Sequence, residues 1–97
     1  MGLARKRGYP IFEPPKFNDG AAARLGYSVD WDGRELRLEK DVDEWVMIVF
    51  TWTHRKGWDA YVWRPFIRRS GDLQYIIKAL AMMDEHRKEL GITWKHH

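Results

Sequence analysis

Cysteine is absent from the 97 residues, which removes at once a disulfide framework, thiolate zinc sites and cysteine nucleophiles. With no disulfide to form, the expected setting is the cytoplasm. Long apolar runs are absent too. The longest, Trp45 to Phe50, has six residues, about a third of what a membrane-spanning helix needs, and Met1 is followed by no signal-peptide apolar core. No membrane partner is expected. Catalytic signatures are also missing: there is no Gly-rich phosphate loop, no nucleophile elbow and no His-x-x-x-His pair. His54, His86, His96 and His97 are split between a loop, a helix end and the C-terminus, and the last two read as the stump of a purification tag. The chain is therefore expected to be non-enzymatic, with no metal and no cofactor.

What is present suits a small folded domain. Hydrophobic residues make up 44% and charged residues 32%, far from the low-hydrophobicity regime of disorder, and six Trp supply large apolar area for a small core. A chain of this length buries only about 60–65% of its unfolded surface, so one compact core is the expectation. The formal charge of +3, with a pI near 9.3, is a mild pull toward nucleic acid or acidic partners. Its distribution says more, because residues 25–44 hold seven acidic and three basic side chains while residues 45–71 hold five basic and one acidic.

Residues 1–24 combine the basic cluster Arg5-Lys6-Arg7 with Pro10, Pro14 and Pro15 interleaved among Ile11, Phe12 and Phe17. That composition disfavours helix and predicts an extended N-terminal arm packed on the domain or on a partner, ahead of a single domain over 25–97. In the domain, Tyr27–Trp31 and Arg34–Glu39 flank Asp32-Gly33, the pair that favours a type I′ hairpin turn. A two-residue loop there would place Trp31 opposite Arg34, Val29 opposite Leu36 and Tyr27 opposite Leu38. The apolar residues then share one face. An acidic connector, residues 40–44, leads to a central strand, Trp45–Thr53, rich in β-branched and aromatic side chains. The loop His54-Arg55-Lys56-Gly57 turns into a last strand, Trp58–Arg64, which Pro65 ends or places at an edge.

Ser70 or Asp72 can cap a helix running to about Leu90, with Leu73, Ile76, Ile77, Leu80, Met83 and Leu90 as its buried stripe and Gly91 just past its end. The expected fold is therefore α+β, an antiparallel meander of four strands followed by one helix on one sheet face. Both faces of the long hairpin read as apolar. The second face must then be closed by the arm, a second copy or a ligand.

Three basic clusters invite polyanions: Arg5-Lys6-Arg7, Arg55-Lys56 at a hairpin tip, and Arg68-Arg69 before the helix. The last, with Ser70 and Gly71, could hold a phosphate at a helix N-terminus. Trp52, Trp58, Tyr61 and Trp63 lie near Arg55, Lys56 and Arg64, the mixture that single-strand binders use to stack bases and neutralise backbone. Trp58, directly after the turn, is the aromatic expected to be exposed. Asp84, Glu85, His86 and Glu89 share the last helical turns but read as surface charge, with Asp84 and Glu85 paired to Lys88.

The layout of four strands then one helix, with basic loops, is similar to that of the single-stranded-DNA-binding transcriptional-coactivator domain, a likeness of topology that implies a dimer. The leading expectation is thus a homodimeric module that binds single-stranded nucleic acid through Arg55, Lys56, Trp58, Arg64, Arg68 and Arg69. The alternative is a protein-interaction module, such as an accessory or inhibitor protein of a mobile element, that docks through its arm and uncovered sheet face. A third is a small-molecule pocket lined by Trp and Tyr between sheet and helix.

Overall fold

The computed structural model describes residues 13–64 and 72–93. Within them lie a short helix α1 (Asp19–Leu25), strands β1 (Ser28–Trp31), β2 (Glu35–Asp43), β3 (Val46–Thr53) and β4 (Gly57–Trp63), and helix α2 (Asp72–Glu89). The strands form one antiparallel sheet in the order β1-β2-β3-β4, and α2 packs on β3 and β4, giving the α+β meander-then-helix fold. Among the described residues no helix is long and apolar enough to cross a membrane.

The extended arm gives way to helix at Asp19. The Asn18 side chain accepts the Ala21 N–H at 3.0 Å, three alanines follow, and Gly26 closes the turn at φ 87°. The arm's prolines stop at position 15, so 19–25 has no proline, and its three alanines outweigh the one glycine, Gly20. Ala21 and Ala22 are fully buried, and the Asn18 N–H donates to the Leu90 carbonyl at 2.8 Å, tying the segment to the end of α2.

The first hairpin pairs Trp31 with Leu36 and Val29 with Leu38, two positions away from the two-residue-loop register expected around Asp32-Gly33. The cause is the Asp32 carboxylate, which accepts the N–H groups of Arg34 and Glu35 at 2.8 and 2.7 Å and draws Asp32 into the closing pair. Those two bonds also hold its carboxyl below the ordinary range. Only Gly33 has positive φ, so the turn is not type I′, which needs positive φ at both central residues. A shift of two preserves the pleat, and the apolar residues keep the face expected of them. Most of the expected acidic connector is strand: β2 continues through Asp43, with a bulge between Asp41 and Asp43.

One face of the sheet carries Leu36, Leu38, Val46, Ile48 and Phe50, all buried, and with Tyr27, Ala79, Leu90 and Ile92 they form the core. The expected stripe of α2 is buried only in part: Leu90 is buried and Ile76 and Met83 are partly buried, but Leu73, Ile77 and Leu80 are 47%, 64% and 45% exposed, and Ala79 and His86 are buried instead, with Met82 partly buried against the core. Alanine at position 79 lets the helix approach the sheet closely, which a branched side chain would prevent. The helix ends as expected at Gly91, φ 72°, where Gly91 N–H donates to the Lys88 carbonyl and Ile92 N–H to the Arg87 carbonyl, the two bonds of a Schellman motif. The expected caps Ser70 and Asp72 cannot be compared with it, since residue 70 and the side chain of 72 lie outside the described part.

Candidate functional site

The register sorts the predicted site residues. On β4, Trp58, Ala60 and Val62 point to the helix side and Asp59, Tyr61 and Trp63 to the opposite, open side. Trp58 is therefore not the exposed stacking residue expected from its place after the turn. It is half-buried against the core, opposite Trp52, with the Phe17 ring edge-on at 6.3 Å. Phe17 thus shows what the end of the arm does: it covers Trp58.

Arg55 and Lys56 are exposed at the tip of the β3–β4 hairpin, a three-residue loop closed by Gly57 at φ 76°, with Lys56 N–H bonded to Thr53 Oγ1 at 3.1 Å. Arg64 is exposed at the far end of β4, on the order of 20 Å from the tip at strand rise. The structure does not bring these cations together, and Trp58 faces away from them. Arg68 and Arg69 lie outside the described residues. On the open side at the tip, Glu35, Thr51, Thr53, Arg55, Lys56 and Asp59 line a shallow depression of about 310 Å³, whose charges balance.

The open face is built in rows across the strands. Asp30, Arg37, Thr51 and Asp59 form one row, Ser28, Glu39, Val49 and Tyr61 the next, and Asp41, Met47 and Trp63 the third; Glu35 and Thr53 stand beside the tip. Across the strands five carboxylates thus share a face with one guanidinium, and Arg55 and Lys56 add two cations at its tip beside Glu35 and Asp59. The second apolar face expected to need a cover is apolar only in part, since β3 contributes Thr51 and Thr53 and β4 contributes Asp59. Val49 at its centre is 1% exposed because its own neighbours roof it. Arg37 Nε donates to Glu39 Oε2 at 3.0 Å and the guanidinium reaches Tyr61 Oη at 3.4 Å, and these bonds, Glu39 first, raise the Arg37 pKa further. Tyr61 and Trp63 remain 38% and 48% exposed, and Trp45, in the turn at the same end as Trp63, is 41% exposed.

Among the described residues no group of His, Asp and Glu is placed to hold a metal. Asp84 pairs with Arg87 at 3.4 Å rather than with Lys88, and Glu89 pairs with Arg24 of α1 at 2.6 Å. His86 turns inward and hydrogen-bonds Tyr27.

Sequence reasoning missed Tyr61 and Trp63 as the exposed aromatics. The signal was partly available: three residues between Thr53 and Gly57 fix the parity of β4, and Gly57, directly after them, is the residue able to take the left-handed conformation that closes the loop. No protein-family model, no curated protein and no solved structure matches the chain.

Proposed function

We propose that this protein is a non-enzymatic protein-interaction module whose working surface is the open face of its sheet. One observation carries the reading: the sheet is asymmetric, sealed on one side around Phe50 and open on the other, where Tyr61 and Trp63 stand in solvent among carboxylates. Exposed aromatic side chains beside fixed polar groups are the composition of protein-binding surfaces, since rigid rings supply contact area at small entropic cost. A phosphate backbone would meet more carboxylates than cations on this face, since Arg37 is paired with Glu39 and the tip cations Arg55 and Lys56 stand beside Glu35 and Asp59.

The reading is tested by affinity capture from the cells that make the protein, with and without nuclease treatment. The wild type is compared with a Tyr61→Ala/Trp63→Ala variant and an Arg55→Ala/Lys56→Ala variant. A protein lost with the first variant and retained with the second is the expected result. Nucleic acid captured by the wild type and lost with the second variant would overturn it.

A further inference from the structure

We infer that the open face takes a cationic protein segment, with a lysine or arginine side chain lying over the ring of Trp63 and paired with the carboxylates around it. This deepens the protein-binding reading and rests on it.

One row of the open face is built to take such a side chain. It ends in the Trp63 ring on β4, carries the Asp41 carboxylate on β2 two strands away, and has the partly buried Met47 between them. In the neighbouring row Arg37 already lies against Glu39 and Tyr61 above the buried Val49, so there the chain supplies its own guanidinium. Strand spacing puts ring and carboxylate about 9–10 Å apart, a gap that one long flexible cationic side chain can bridge, its stem on Met47. An aromatic face attracts a cation through its quadrupole, and a nearby carboxylate adds to the same field.

Charge decides among occupants. Arg37 is committed to Glu39, and Arg55 and Lys56 share the tip depression with Glu35 and Asp59, which leaves Asp30 and Asp41 as the net field of the face. A second copy placed face to face would set these carboxylates against themselves, and a nucleic acid would bring phosphates to them. A lysine- or arginine-bearing segment is complementary.

The test uses the whole chain and fluorescently labelled synthetic peptides of alternating arginine and serine, with alternating glutamate and serine peptides and an oligothymidine as comparison probes, read by anisotropy at low and physiological salt. The arginine peptide should bind, weaken as salt rises, and lose about tenfold in affinity with Asp30→Asn/Asp41→Asn and roughly fivefold with Trp63→Ala, whereas Trp63→Phe keeps most of it. Removing equal charge from α2 with Asp84→Asn/Glu85→Gln should change little. Equal loss from both charge-removing variants, tighter binding of either comparison probe, or no arginine-peptide binding overturns the inference. Capture of a protein partner that still depends on Tyr61 and Trp63 would then leave the protein-binding reading standing, and loss of that dependence would remove both.

Discussion

Tyr27 and His86, 59 positions apart in the chain, are joined by a buried 2.7 Å hydrogen bond between the tyrosine hydroxyl and Nδ1 of the imidazole. The rings meet edge to face at 5.5 Å, and Tyr27 also leans on Phe50, so this contact links the entry to β1, the centre of the sheet and the end of α2. Tyr27→Phe keeps the ring but leaves Nδ1 buried without that partner, and should cost about 1–3 kcal/mol of unfolding free energy by denaturant titration.

The same contact sets a pH response. Burial, then the Lys40 ammonium, push the His86 pKa below its ordinary value against the weaker opposing pull of Glu89 and Glu85; burial pushes the Tyr27 hydroxyl up, so it stays protonated. With its folded pKa below the unfolded value near 6.5, His86 takes up its proton more readily unfolded. The stability it contributes is therefore complete above that value and is lost as pH falls through the folded pKa. Melting temperatures at pH 7 and pH 5 should differ more in the wild type than in His86→Gln. Equal differences would exclude His86 as the source.

Phe17 and Trp58 couple the arm to the sheet. Trp58→Ala should cost roughly 2 kcal/mol, less than the ~3–5 of a fully buried Trp, because the ring is half-buried. In a double-mutant cycle with Phe17→Ala the pair should show about 0.5–1.5 kcal/mol of coupling. A coupling of zero would mean the edge-on contact contributes nothing.

Gly57 closes the basic hairpin at φ 76° with nothing within 4 Å of where a Cβ would stand. Gly57→Ala should destabilise by about 1 kcal/mol from backbone strain alone, and Gly57→Asn should recover part of it, since Asn tolerates the left-handed region.

Arg55 and Lys56 are exposed, and replacing both by Ala should leave unfolding within about 0.5 kcal/mol of wild type. A larger loss would show that the tip cations help hold the hairpin.

Much of the fold was legible because it rests on local rules. Alternation places Leu36 and Leu38 inward, a β-branched and aromatic run makes β3, and Gly91 ends α2 in the conformation that glycine adopts most readily. These preferences act between near neighbours, so they can be read from order alone. The candidate site was less legible. Its exposed rings are told from the packed ones only by the parity of β4, and parity hangs on one loop length. A turn residue can also move the pairing: Asp32 shifted the first hairpin by two, which kept every face, where a shift of one would have reversed them.

The amino-acid order by itself determined the number, kind and succession of the β-strands and the long helix, because backbone propensity and apolar period are properties of short segments. Tertiary structure alone decided which side of α2 is buried. Leu73, Ile77 and Leu80 have the greater apolar area, but the narrow gap above β3 and β4 admits Ala79, and His86 can enter the core only because Tyr27, far away in sequence, meets its ring nitrogen. Tertiary structure likewise decided that Val49 needs no separate cover, since Arg37 and Glu39 of β2 and Tyr61 of β4 come from the two strands flanking β3 and meet over it only once the sheet has formed. Fit and hydrogen-bond satisfaction depend on groups that no segment contains together, and for that reason they cannot be read one segment at a time.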